Sequence, residues 1–291
     1  MYPSRFRYEA PRSIEEAFSL LSDGGGDAKV LAGGQSLVPM IKLRFASPEM
    51  LVDINELPGL DYHRLGDDGS IHIAALCRHA DLERSSLLAS HQPTMAAAAP
   101  LVADPIVRIR GTLVGSLCHA DPQGDWASVM ASLDGSVVAQ GPKGQRTISV
   151  KDFVRGPFQN ALAVDEIVVE AVVPAPQGIA SGGYLKLERR VGDFATAGVA
   201  VSIDREGSKV TRAGIALTGV GGSTISADEA AQLLVGVELS AEVIGEVSEL
   251  AAQAAQPRTD HRGSASFKRQ VVRVFTSRIL TRLLVSEEEA A

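Results

Sequence analysis

Two short runs carry the residue types that hold an anion on backbone. The first is Ala32-Gly33-Gly34-Gln35-Ser36 and the second is Gly111-Thr112-Leu113-Val114-Gly115-Ser116. Each leaves apolar or extended sequence and enters another apolar segment. Successive N–H groups in a tight turn converge on one point, and glycine lets the backbone come close to a ligand. Ser36, Thr112 and Ser116 add hydroxyl donors. Two such turns, one on each side, suit a diphosphate, whereas either turn alone reads more simply as an ordinary glycine turn. Other chemistry is hard to assemble. No G-x-G-x-x-G opens a helix after the first strand, and no P-loop, HExxH or G-x-S-x-G motif occurs. The six histidines show no metal-ligand spacing, so each reads as a surface or hydrogen-bonded side chain, and no hydrolytic triad can be put together.

The elements that must position these runs alternate between helix and strand. Residues 13–22 predict a helix: Ser13 and Glu16 form a capping box, and Ile14, Ala17, Phe18 and Leu21 share one face. A strand at 29–31, the first run, an apolar segment at 37–43 and a strand at 51–54 complete an α/β unit of about 55 residues. Further on, the pattern predicts a strand at 71–75, helical stretches at 79–89 and 94–99, and a helix at 125–133. Strands follow at 136–140, 147–149 and 167–173. Pro174-Ala175-Pro176 marks an expected domain boundary. The last third predicts strands at 184–189 and 209–219 around an apolar segment at 194–203, then two or three helices. The final helix shows Val271, Phe275, Ile279 and Leu283 at four-residue spacing, and the acidic tail after it is expected to fray.

The chain has 291 residues, 45% of them hydrophobic and 22% charged, enough to bury a sizeable core. A formal net charge of −7 argues against nucleic acid as the main partner. The two cysteines, Cys77 and Cys118, are too few for an iron–sulfur cluster or a structural zinc, and a disulfide between them is not expected. The N-terminal residues lack the apolar stretch of a signal peptide, and no apolar run approaches membrane-spanning length. The expectation is a cytoplasmic protein with no membrane span.

Three segments together carry a family resemblance. Ala32-Gly33-Gly34-Gln35-Ser36-Leu37 is followed by Pro39-Met40. Gly111-Thr112-Leu113-Val114-Gly115-Ser116 runs on into Leu117-Cys118-His119-Ala120-Asp121-Pro122. Arg189-Arg190-Val191-Gly192-Asp193-Phe194-Ala195 comes last. In this order and at these separations the chain resembles, over nearly its whole length, the FAD-binding medium subunit of molybdenum hydroxylases. These are the xanthine dehydrogenase and aerobic carbon monoxide dehydrogenase family.

The resemblance implies an α/β (α+β) fold: a p-cresol methylhydroxylase-type FAD-binding domain over residues 1–176, in subdomains of about 1–57 and 58–176, and a C-terminal α/β domain over 177–291. It implies that Ala32, Gly33, Gly34, Gln35, Ser36 and Leu37, with Thr112, Val114, Gly115 and Ser116, hold the pyrophosphate and its surroundings. Lys29 joins them from just before the first run. Asp125 matches a carboxylate near the ribityl or ribose hydroxyls, Val168 and Lys186 match positions that touch the flavin, and Phe194 matches an aromatic beside the ring. Read without the resemblance, Asp125 is a helix cap, Lys186 a solvated strand residue and Phe194 core. One position departs from the family, which usually has two adjacent glycines where this chain has Val114-Gly115. A β-branched residue tolerates positive φ poorly, so Val114 is expected at ordinary torsions.

The implied function is that of an electron-transfer subunit without catalytic residues of its own. It takes single electrons from two [2Fe–2S] clusters on a small partner subunit and passes them to an external acceptor. The molybdenum cofactor sits on a large partner subunit, which oxidises the organic substrate. Two alternatives stay open: a self-sufficient flavin oxidase or dehydrogenase, and a structural subunit that has lost FAD. The substrate and the acceptor are not legible.

Overall fold

A computed structural model describes residues 2–288, so the acidic tail from Glu289 onward lies outside the described residues. The helix Ile14–Gly24 buries Ala17, Phe18 and Leu21 against a parallel three-stranded sheet, ordered Arg7–Glu9, Met50–Asp53, Ala28–Leu31. Only half of the expected capping box forms. Ser13 Oγ accepts from the Glu16 amide at 3.2 Å, but the Glu16 carboxylate takes the amide of Arg12 instead of that of Ser13. The apolar segment after the first run is a short helix, Leu37–Lys42.

A five-stranded antiparallel sheet follows, ordered His63–Leu65, Ile71–Ala74, Ile167–Val173, Ser136–Gly141, Gly144–Ser149. The stretch predicted as one helix at 79–89 is two, His79–Glu83 and Ser86–His91. The break falls at Ser85, whose hydroxyl caps the Leu88 amide at 3.1 Å and also meets His63 Nε2 at 2.8 Å. A serine that bonds the backbone in this way starts a new helix instead of continuing the old one. The helix Asp125–Ser132 is buried along its whole length, with Trp126 fully enclosed.

The chain leaves the second sheet at Val173 and enters a third at Ile179. This one is antiparallel, ordered Ile179–Leu187, Ala197–Glu206, Lys209–Thr218, Ile225–Ser226. Residues 197–205 are buried on both faces, because the final helix packs on one side and Asp125–Ser132 on the other. Arg212 joins the layers, donating to Asp204 Oδ2 at 2.8 Å and to the Ser132 carbonyl at 3.1 Å. On the final helix, Ala265–Glu288, the apolar stripe is wider than predicted. Val272, Thr276 and Leu280 are its deepest residues, beside Val271, Ile279 and Leu283, as a 3.6-residue period requires. Among the described residues no helix is long and apolar enough to cross a membrane.

Candidate functional site

The first run connects the end of strand Ala28–Leu31 to helix Leu37–Lys42. Its two glycines are needed for different reasons. Gly34 has φ +73°, which other residues adopt only under strain. Gly33 is pressed against the second run: a Cβ there would lie 2.3 Å from the Arg110 carbonyl oxygen and 2.7 Å from Gly111 Cα. The Gly34 carbonyl accepts from the Val38 amide at 3.0 Å, and the Gln35 side chain folds back onto the Gly33 carbonyl at 3.1 Å. These bonds leave the amides of Gln35, Ser36 and Leu37 without an acceptor among the described residues. Ser36 is the helix N-cap but makes no capping bond with its side chain.

The second run is a helix start and not a glycine loop. Thr112 is the N-cap of helix Leu113–His119, and its Oγ1 accepts from the Gly115 amide at 3.0 Å. Leu113 and Val114 are the first two helical residues, whose amides have no intrahelical partner. Val114 is buried and does not fall among the residues of positive φ, so its torsions are ordinary and valine brings no strain.

Two residues the sequence did not single out tie the runs together. Arg78 donates from Nη1 to the Arg110 carbonyl and from Nη2 to Asn55 Oδ1, both at 2.7 Å. Asn55 in turn donates to the Ala32 carbonyl at 2.8 Å. Nothing local announces this bridge, since its members, Ala32, Asn55, Arg78 and Arg110, come from four separate parts of the chain.

The two runs open on one cleft of about 840 Å³, near the upper end of the ~300–1,000 Å³ usual for small-molecule sites. The residues 32–37, Thr112, Val114, Gly115, Ser116, Lys29, Asp125, Val168 and Phe194 all line it. Lys29 is exposed on the edge strand. Val168 is buried beside a register shift that separates it from Glu170. Phe194, 48% exposed, is not core; its carbonyl is held by Arg262 Nη1 at 2.7 Å and its amide by Asp193 Oδ1 at 2.9 Å. Phe158, also exposed at the cleft, and the 160–164 segment form a wall that sequence reasoning missed.

Asp125 is not a cap, since Gly124 takes that place. Its buried carboxylate accepts from Tyr184 Oη at 2.6 Å and from Lys186 Nζ at 3.2 Å. Burial holds its pKa above the usual carboxylate range, against the opposing pull of Lys186 and Tyr184. Lys186 needs a correction on both readings. Its side chain is 1% exposed, so it is not a solvated strand residue, and it does not reach the cleft surface. Its ammonium donates to the Leu101 carbonyl at 2.5 Å, to Asp125 and to the Asp193 carbonyl at 3.3 Å, and it pairs with Glu188. Three protons have three protein acceptors, so Lys186 braces the wall from behind and leaves no donor for a ligand.

Residues 4–176 match the family described as the FAD binding domain in molybdopterin dehydrogenase, and residues 183–283 match the CO dehydrogenase flavoprotein C-terminal domain. The chain belongs to the FAD-binding medium subunits of the molybdenum hydroxylases. This medium subunit is 39% identical to the carbon monoxide dehydrogenase medium chain of Hydrogenophaga pseudoflava, over 92% of this chain and 93% of that one. It is 38% identical to the nicotine 6-hydroxylase medium subunit of Paenarthrobacter nicotinovorans, over 94% and 95% respectively. Among solved structures, carbon monoxide dehydrogenase from Hydrogenophaga pseudoflava superposes with a TM-score of 0.92 at 39% identity, covering 97% of this chain and 98% of that one. Quinoline 2-oxidoreductase from Pseudomonas putida 86 gives 0.89 at 29% identity with the same coverages. The medium subunit is thus an oxidoreductase component with an FAD-binding domain and a C-terminal flavoprotein domain, the mixed helix-and-strand fold that the resemblance implied.

Proposed function

We propose that the chain holds one FAD in the cleft between its two runs and relays electrons from a small iron–sulfur subunit to an external acceptor. The supporting observation is the contact of the two runs across Gly33, with unpaired amides on both sides of one cleft. The residues fit the cofactor. Amides of Gln35, Ser36 and Leu37, with that of Val114, supply donors for a diphosphate, and Ser36 and Ser116 line the same cleft. Lys29 adds a positive charge at the edge. Asp125 has lone pairs left for sugar hydroxyls, and Val168 and Phe194 offer apolar and aromatic surface to a flat ring. FAD, when bound, supplies the redox chemistry: it takes up two electrons singly and gives them to the acceptor.

The chain's own work is to bind and orient. Arg78 and Asn55 keep the runs in register, and Lys186 fixes Asp125 and the Asp193 carbonyl without touching the ligand. Val114, the position that departs from the family, has ordinary torsions and so brings no backbone strain against FAD binding. The two domains run over 1–176, in subdomains of about 1–57 and 58–176, and over 177–291. The complex includes a large molybdenum-cofactor subunit and a small subunit with two [2Fe–2S] clusters, and it works in the cytoplasm. Purification of the native complex tests the reading: it should carry FAD that acid precipitation releases into the supernatant, with turnover only when all three chains are present. A flavin-free complex sinks the cofactor assignment, and substrate turnover by this chain alone favours a self-sufficient oxidase.

A further inference from the structure

His79 lies at the base of the junction between the two runs. Its imidazole is 4% exposed and lines the cleft. Its backbone amide donates to the Gly111 carbonyl at 2.9 Å. A Cβ on Gly111 would lie 2.8 Å from Cδ2 and 2.9 Å from Nε2 of the ring, and Gly111 is the residue against which Gly33 packs. The imidazole edge, Gly111 and Gly33 are therefore in successive contact where the runs meet.

The tautomer of this ring is fixed by its neighbour. Trp126 Nε1 lies 3.0 Å from His79 Nδ1, and an indole nitrogen only donates. Nδ1 must accept, which places the ring proton on Nε2. Burial, with Arg108 and Arg78 nearby, pushes the His79 pKa down to about 4, so the ring is neutral under ordinary conditions. The Nε2–H that results has no acceptor among the described residues and stays accessible at the cleft, in a residue otherwise more than nine-tenths buried. A donor that faces a binding cleft with no protein partner is free to bond water or a ligand oxygen that enters the cleft. The ring offers a hydrogen bond there without a net charge, which suits an oxygen acceptor.

We propose that His79 is a cofactor-binding residue whose Nε2–H donates to an oxygen of FAD bound in the cleft. The proposal rests on the FAD reading above. It adds to the site a histidine that lies outside both glycine-containing runs.

Two substitutions separate the two edges of the ring. His79→Asn keeps an acceptor near the Nδ1 position for Trp126 but has nothing at Nε2. His79→Gln places an amide N–H near Nε2. FAD dissociation constants of the full-length chain, measured by equilibrium dialysis, should rise roughly five- to thirtyfold for His79→Asn, the loss of one buried hydrogen bond. They should return to within about threefold of wild type for His79→Gln. Trp126 emission in the flavin-free His79→Asn protein should match wild type. A second measurement needs no substitution: the Nε2–H proton resonance of histidine-labelled wild type should shift downfield and gain exchange protection when FAD is added. Wild-type affinity in His79→Asn, equal weakening in both variants, or an unmoved resonance overturns the role of His79. Failure of the wild-type chain to bind FAD overturns the flavoprotein reading and this proposal with it.

Discussion

Acid is the sharpest probe of the His79–Trp126 pair. An unfolded histidine titrates near 6.5, whereas the buried ring titrates at about 4. Between those values the unfolded chain holds more protons, so stability falls as the pH drops through the window. The slope is about 1.4 kcal/mol per pH unit, which makes the loss about 2 kcal/mol at pH 5 and about 3.4 kcal/mol once the pH is below 4. Protonation also puts a second N–H opposite the Trp126 donor, only 3.0 Å away. His79→Gln has nothing to titrate there. Urea unfolding of flavin-free wild type and His79→Gln, at pH 7 and pH 5, isolates the effect, because every other ionisable group is common to both. Trp126 is the only tryptophan, so its fluorescence follows this locus while circular dichroism follows the whole chain. Wild type should lose about 2 kcal/mol more than the variant on going from pH 7 to pH 5. Equal losses would mean that the folded ring titrates near its ordinary value. The fixed tautomer, and with it the open Nε2 donor, would then be wrong.

Gly33→Ala should force the two runs apart, because its Cβ meets the Arg110 carbonyl at 2.3 Å; FAD affinity should fall at least about tenfold, and unchanged affinity would remove the junction from the site. Val114→Gly should destabilise the chain by about 2–4 kcal/mol through lost burial and helix propensity without improving FAD affinity; a clearly tighter dissociation constant would show strain that the torsions do not contain. Lys186→Met should cost about 3–5 kcal/mol in urea unfolding by leaving buried Asp125 without its counter-charge, and adding Asp125→Asn should recover much of that; no recovery would mean the pair is not coupled. Arg262→Ala should free Phe194, and the absorption fine structure of bound flavin should change while urea unfolding moves little; an unchanged spectrum would place Phe194 away from the ring.

The sequence by itself determined what depends on neighbours within a few residues. The strands 29–31, 71–75 and 167–173 were legible from apolar runs, and the first helix from its one-sided pattern. Gly34 was legible as a turn residue because positive φ is a local demand. The resemblance supplied the family, and with it fourteen residues that the structure gathers on one cleft. The tertiary structure decided what each of those residues meets. Gly33 is glycine because the Arg110 backbone lies against it, not only because a ligand must come close. Thr112–Ser116 proved to be a cap and first turn, since the same Gly, Thr and Ser letters serve loops and helix starts alike. Lys186, expected at the flavin, is enclosed by Leu101, Asp125 and Asp193, none of which its own strand announces. His79 could not be told from any other histidine until Trp126 fixed its proton and Gly111 placed its edge. A single-residue pattern encodes the preference of a backbone for helix, strand or turn. The protonation and donors of a side chain are set by partners far along the chain, and only the packed fold brings those partners within hydrogen-bond distance.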